Sequence, residues 1–255
     1  MQHLNLTLPT AEENLALDEA LLDAAEAGDG PEEIVRLWES PEPMVIAGRS
    51  SRLSQEVRLD ACRQQGLGVW RRSSGGATIL AGPGCLMYAV VLSYEKRPEL
   101  RPLDRAHGFV LGLLANAIAA QLPGVARAGI SDLVIAGRDD HVAGKCTGDT
   151  TALKFSGNSL RCKRTHMLYH GTLLYDFPIA LVADYLLLPP RQPDYRAARE
   201  HSQFIANLPL NRAALCRAVL EAFDAHEPTD NWPRQLVADL VVNRYTRREW
   251  TEQFV

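Results

Sequence analysis

Arg71-Arg72-Ser73-Ser74-Gly75-Gly76-Ala77-Thr78-Ile79 sets two guanidinium groups directly ahead of a glycine pair, just after the short apolar segment Leu67-Gly68-Val69-Trp70. A Gly-Gly step lets the backbone approach a ligand closely with its N–H groups turned inward, and neighbouring arginines can clamp a phosphate or a carboxylate. The same residues also suit an ordinary hairpin turn beside basic side chains. What separates the two readings lies further along the chain, in Lys154-Phe155-Ser156-Gly157-Asn158-Ser159-Leu160-Arg161 and Tyr169-His170-Gly171-Thr172-Leu173-Leu174.

Outward from the glycine pair, residues 68–71 and 78–80 read as strands flanking a turn. Upstream, Ile34–Trp38 and Met44–Ala47 are two more, separated by Glu39-Ser40-Pro41-Glu42-Pro43. Gly48-Arg49-Ser50 ends the second of these with a cation that is either a surface charge or points into a site. Thr10-Ala11-Glu12-Glu13 is a capping box, and its helix should run to about Ala27, stop at Gly28 and bury Leu17, Leu21 and Ala24. A short helix is expected from Leu59 to Gln65. Downstream, Cys85–Tyr94 is a nearly unbroken apolar run, the signature of a strand covered on both faces.

Phe109, Val110, Leu113, Leu114 and Ile118 are spaced as one face of a helix between Leu103 and Gln121. Asp132–Ala136 reads as a strand, 137–140 as a turn, and the polar, glycine-dotted stretch 141–153 as an exposed hairpin or mobile loop. Lys154–Arg161 and Met167–Tyr175 are two further strands. Pro178–Leu188 should be helical, Arg191–Ser202 is charged and irregular, and Asn211 caps an amphipathic helix to Phe223. A helix opening at Pro233 and a second capping box, Thr246-Arg247-Arg248-Glu249, close the chain. Strands and helices do not alternate strictly, which predicts an α+β fold around a central mixed β-sheet.

A length of 255 residues suits a single large domain. The net charge of −4 gives no basic surplus, so nucleic acid is not an expected partner. Nor is a membrane. The uncharged stretch 73–94 contains Pro83 and four glycines, and the stretch 109–126 holds Asn116, Gln121 and Pro123. Five cysteines, with no Cys-x-x-Cys pair or zinc-type spacing, and no secretory start predict a cytoplasmic protein with no metal site of its own.

Taken together, Arg71-Arg72-x-Ser-Gly-Gly, Ser131-Asp132-Leu133-Val134, Lys154-Phe155-Ser156-Gly157 and His170-Gly171-Thr172-Leu173-Leu174 resemble the lipoate–protein ligase family, within the wider group of biotin and lipoate ligases and octanoyltransferases. Asn14-Leu15-Ala16-Leu17-Asp18-Glu19-Ala20 and Val45-Ile46-Ala47-Gly48-Arg49 are similar to that family too. The resemblance implies a catalytic domain related to class II aminoacyl-tRNA synthetases and biotin ligases, spanning 1–255 with no accessory C-terminal domain evident. It implies activation of lipoate with ATP to lipoyl-adenylate, then transfer to a lysine of a lipoyl-domain or H-protein-type carrier. It also implies Mg2+ with the nucleotide, and a separate accessory ligase subunit as a further partner.

Carried over by motif, Lys154 holds the acyl carbonyl and α-phosphate. Arg71, Ser73, Gly75, Gly76 and Ala77 line the acyl and nucleotide pocket, with Arg49, Ser156 and Gly157 beside them. Asp132 lies near the nucleotide, and His170 ends the strand behind the pocket in a structural role. The physics agrees with a lysine here: joining a carboxylate to an α-phosphate brings two anions together, which a fixed ammonium favours without a proton transfer. Without the motif, Lys154 is also readable as a solvated lysine at a strand start, and Asp132 as a turn aspartate.

The chain departs from the family pattern in several places. Ala77, Ala81 and Gly82 stand where a third glycine and a His-Asp pair are usual, and the 132–154 segment is longer. The octanoyltransferase alternative requires a nucleophilic cysteine, but Ala128-Gly129-Ile130-Ser131 has none and the next after His170 is Cys216. Cys146 and Cys162 stay open as candidates, while Cys62, Cys85 and Cys216 read as core fillers. A non-catalytic acyl-binding module is the third alternative.

Overall fold

In the computed structural model, which describes residues 1–136 and 152–254, three strands with no exposed residue form the centre of the molecule. These are β2 (Ile34–Trp38), β6 (Cys85–Ser93) and β10 (His166–Leu174). Successive side chains of a strand point to opposite faces. Ile34, Trp38, Met87, Ala89, Val91 and Leu168 therefore feed one apolar core, and Val35, Leu37, Tyr88, Val90, Leu92 and Tyr169 the other. Burial on both faces is the reason these strands read as continuous apolar runs rather than as alternations.

Around them lie β1 (Gln2–Asn5), β7 (Val125–Ala128), β8 (Asp132–Ile135), β9 (Leu153–Cys162) and the two-residue β11 (Glu227–Pro228), in the order β11-β1-β2-β6-β10-β9-β8-β7. The β1 strand runs parallel to its two neighbours, and the remaining pairs are antiparallel. A second sheet is built on β3 (Met44–Ala47), with β4 (Val69–Arg71) parallel to it and β5 (Ile79–Ala81) antiparallel. The segments flanking the glycine pair thus do not form a hairpin with each other. Each pairs with β3, and the loop between them bridges its two edges.

Helix α1 (Ala11–Ala27) starts at the expected capping box and ends on Gly28 with φ of 79°. It packs against the large sheet on one side and the C-terminal helical segment on the other. That sandwiching buries Asn14, Asp18 and Glu19 as well as the expected Leu17, Leu21 and Ala24. The short helices α2 (Leu53–Glu56) and α3 (Leu59–Gln64) connect β3 to β4 of the small sheet. The opposite face of the large sheet is covered by α4 (Leu103–Ala119) and α7 (Arg212–Ala222), the latter capped by Asn211. Between β10 and α7, the expected helix 178–188 shortens to α5 (Ala180–Tyr185), and α6 (His201–Phe204) adds one turn.

The C-terminal segment comprises α8 (Arg234–Leu240), a π turn (Val241–Tyr245) and α9 (Arg248–Thr251). The second capping box does not form: the Thr246 hydroxyl instead bonds the carbonyl of Val241, satisfying the π turn. The α+β reading, with a mixed sheet flanked by helices, holds. Most of the expected 141–153 loop lies outside the described residues, and Leu153 already belongs to β9. Among the described residues no helix is long and apolar enough to cross a membrane.

Candidate active site

A cavity of about 720 Å³ opens between the ends of β8–β10, the small sheet, α1 and the chain following α5. Its lining divides by chemistry. Leu15, Ile46, Met87, Leu174, Phe177 and Phe204 make an apolar part, while Arg72, Asp132, Lys154, Ser156, Asn158 and His170 make a polar one. A concave apolar site with a few convergent polar groups suits a small amphiphilic ligand.

At the polar end Lys154, at the head of β9, extends its Nζ to 2.8 Å from Asp132 Oδ1. The register pairs Asp132 with Gly157, and a β-bulge between Leu133 and Val134 intervenes. The lysine chain must therefore curl back over Gly157 to reach its partner. A Cβ at 157 would lie 3.0 Å from Nζ, so the lysine end packs closely over Gly157. Tyr195 donates to the other carboxylate oxygen at 2.6 Å, so both oxygens of Asp132 are engaged.

Across the cavity, the glycine loop is held from within. Arg72 is buried, and its guanidinium donates to the carbonyls of Ile46, Gly75 and Ala77 and to Ser74 Oγ, at 2.5–3.1 Å. Burial depresses its pKa to about 10, with partial relief from Glu56. Ser74 Oγ lies 2.5 Å from His170 Nε2, and His170 Nδ1 lies 3.2 Å from Asp18 Oδ2. Asp18 is in turn ion-paired to the fully buried Arg36 at 2.6 Å. Burial pushes the Asp18 carboxyl up, but Arg36 and His170 more than offset this and hold it below the ordinary value. The chain Arg36–Asp18–His170–Ser74 thus locks the loop to the large sheet. Gly76, at φ of 85°, passes so close to Gly48 that a Cβ on Gly48 would meet its carbonyl at 1.8 Å.

Lys154, Asp132, Ser156, Gly157, His170, Gly76 and Ala77 come together on the cavity wall, with His170 midway along β10 rather than at its end. Others do not. Arg71, the last residue of β4, and Arg72, just beyond it, send their guanidinium groups to different parts of the protein. The Arg71 guanidinium donates to the carbonyls of Gly48, Arg49, Ser51, Trp250 and Thr251 at 2.6–3.3 Å, so it ties the C-terminal segment to the loop instead of facing the cavity. Ser73 is buried beside Tyr245, and Arg49 is exposed on the surface. The Gly75 carbonyl accepts from Arg72 and Ser159, and that residue does not line the cavity.

Several further residues do line it. Arg72 was legible as the partner of Arg71, and Asp18 stood within a quoted segment. Thr78 stood within the opening stretch, whereas Glu56, Tyr195, Arg196 and His201 carry no local sequence signal. Glu56 accepts from the Thr78 amide at 2.6 Å and the Ser51 hydroxyl at 3.1 Å. Among the described residues no cysteine lines the cavity, and burial pushes the Cys85 thiol up to about 12. Cys162 is exposed and Cys216 half-buried; Cys146 lies outside the described residues.

Residues 10–223 match the model of the lipoyl protein ligase A/B catalytic domain. The chain is 30% identical over 162 residues to a lipoate-protein ligase A relative in Aeropyrum pernix, covering 63% of this chain and 52% of that one. It is also 39% identical over 88 residues to the octanoyltransferase LipM of Lysinibacillus sphaericus, covering 34% and 31%. The chain spans about half the length of the lipoate-ligase relatives it matches. Among solved structures it resembles a bipartite lipoate protein ligase from Thermoplasma acidophilum, with a TM-score of 0.80, 19% identity, and 100% and 96% of the two chains covered. A lipoate-protein ligase A bound with ATP gives a TM-score of 0.78 at 19% identity, covering 100% and 99%. At such identity these likenesses show a shared fold.

Proposed function

We propose, since the chain belongs to the lipoyl protein ligase A/B catalytic domain family, that it is a single ligase-type catalytic domain attaching lipoate to a carrier lysine through lipoyl-adenylate. The observation that carries this reading is Lys154: a partly exposed ammonium, paired among the described residues with Asp132, on the polar wall of a cavity whose other part is apolar. The apolar part takes the acyl chain. The ammonium attracts the anionic acyl phosphate, and Asp132 is the counter-ion it leaves. Neutralising charge between carboxylate and phosphate lowers the barrier to both adenylation and transfer.

ATP and lipoate are the substrates of this reading, which is supported by relatives of the same fold bound to ATP and, in Thermoplasma acidophilum, to lipoic acid. Magnesium would arrive with the triphosphate, whose oxygens are its natural ligands. Among the described residues no three acidic, histidine or cysteine side chains are grouped to hold a metal of their own. A lipoyl-domain or H-protein-type carrier is the acceptor, and a separate accessory ligase subunit assists the first half-reaction. The bipartite Thermoplasma ligase studied with its E2 lipoyl domain supports both partners.

The LipM likeness favours a second reading, octanoyl or lipoyl transfer from a preformed acyl donor through a cysteine. One experiment separates the two. A variant with every cysteine replaced by serine, given preformed lipoyl-adenylate and a lipoyl domain, is expected to lipoylate the carrier lysine at the unsubstituted rate. Loss of that transfer, together with cysteine-dependent transfer from an octanoyl carrier protein in the unsubstituted chain, would establish the second reading instead.

A further inference from the structure

The segment between α5 and α7 reads in sequence as charged and irregular, yet it forms a wall of the cavity. Its 3-10 turn, Asp194–Arg196, carries Tyr195, 8% exposed, with the ring packed on Phe204 at 5.2 Å. Immediately afterwards Ala197 and Ala198 both adopt left-handed backbone, at φ of 51° and 56°. Alanine at such angles costs on the order of 1 kcal/mol per residue, and such strain persists only where surrounding contacts over-determine it.

Those contacts converge on the head of β9. Arg199 donates to the carbonyls of Tyr195 and Ala152 at 2.9 and 3.0 Å. The Ala206 amide donates to the carbonyl of Lys154 at 2.9 Å, and Ile205 bridges Lys154 in parallel. The segment is therefore bound to the backbone of Lys154 and, through the Tyr195 hydroxyl, to the carboxylate that holds its side chain.

We propose that Tyr195 is a positioning residue for Lys154 that acts through Asp132, an inference that rests on the reading of Lys154 as the acyl-handling lysine. Each oxygen of Asp132 has its own partner, so the carboxylate cannot rotate and the ammonium it holds has one location. When an anionic acyl phosphate draws the ammonium away, the Tyr195 hydroxyl still stabilises the carboxylate left behind. Burial, with the charge of Asp132, raises the phenol pKa, so the hydroxyl remains a donor throughout the neutral range.

The test is a double-mutant cycle on lipoyl transfer from preformed lipoyl-adenylate to a lipoyl domain, with Lys154→Ala as reference and thermal unfolding as the check on folding. Tyr195→Phe keeps the ring on Phe204. It should lower kcat about tenfold, the scale of one charge-assisted hydrogen bond, with KM changed less than about twofold. In an Asp132→Asn background the same substitution should cost less than about twofold, because the group it acts through has gone. Equal costs in both backgrounds, or a loss confined to KM, would overturn the proposal. A Lys154→Ala variant with unimpaired transfer would instead remove the reading on which it rests.

Discussion

The glycine loop and the head of β9 both carry cations beside one cavity, but the fold occupies them differently. At the loop, Arg71 and Arg72 have their guanidinium groups directed at carbonyl and hydroxyl oxygens of the protein itself, several bonds to each side chain. At β9, Lys154 has, among the described residues, one carboxylate partner, and 28% of its side chain is exposed. A buried guanidinium with many backbone acceptors is a structural tie that no ligand displaces without leaving those acceptors unsatisfied. A partly exposed ammonium paired with a carboxylate can exchange that partner for a ligand. A cation beside a Gly-Gly pair is thus no sign by itself of a ligand contact.

Substitutions at the two regions should separate along this line. Lys154→Ala is expected to lower lipoyl transfer about 10²–10³-fold, the scale of losing one electrostatic stabiliser, while leaving the melting temperature nearly unchanged. Steady-state rates with preformed lipoyl-adenylate check it, and near-full activity would erase the contrast. Arg71→Met should do the reverse. It orphans carbonyls at Gly48, Ser51 and Thr251 and frees the C-terminal segment. The expected cost is about 3 kcal/mol, or a melting temperature roughly 6–12 °C lower. An Arg71→Met chain that melts like the unsubstituted protein but transfers poorly would move Arg71 to the ligand side of the comparison.

Acid unfolding tests the buried ties beneath the loop. Burial raises the Glu19 pKa, but Arg161, Arg244 and Tyr245 more than reverse it, leaving Glu19, like Asp18, below its ordinary value. Both carboxylates therefore contribute stability that is complete above their unfolded pKa values, about 4, and is lost as pH falls through the lower folded values. Urea midpoints should be level from about pH 7 to 5 and drop below about pH 4. Asp18→Asn should flatten that drop. The smallest effect is expected at Trp250, whose indole N–H donates to the Arg71 carbonyl at 2.9 Å. Trp250→Phe removes one hydrogen bond, about 1 kcal/mol or roughly 2–4 °C, by calorimetry.

Legibility in the sequence followed the physics of each part. The strands at 34–38 and 44–47 and the start of α1 were readable because apolar runs and a capping box are local signals. Lys154 and Asp132 were each brought to the site by the family resemblance, but their pairing was not legible, because it depends on the β8–β9 register and its bulge. The directions of Arg71 and Arg72 were not legible either: β4 ends at Arg71, and which of the two faces the cavity depends on how the small sheet and its loop dock. Asp18 lay hidden because α1 is buried between two layers, which its expected single apolar stripe did not anticipate. The Tyr195 segment has no periodicity at all. Its conformation is imposed by β9 and by the two left-handed alanines, contacts between residues far apart in sequence.

The contrast between the tied arginines and the exchangeable lysine is tested most directly by the structure of this chain with a non-hydrolysable lipoyl-adenylate analogue. The account predicts that Lys154 Nζ leaves Asp132 and lies about 3 Å from the acyl carbonyl or phosphate oxygen. It also predicts that Arg71 keeps its bonds to Gly48, Ser51 and the α9 carbonyls, and that Tyr195 remains on Asp132. Lys154 still paired with Asp132, with the phosphate bound by Arg71, would contradict it.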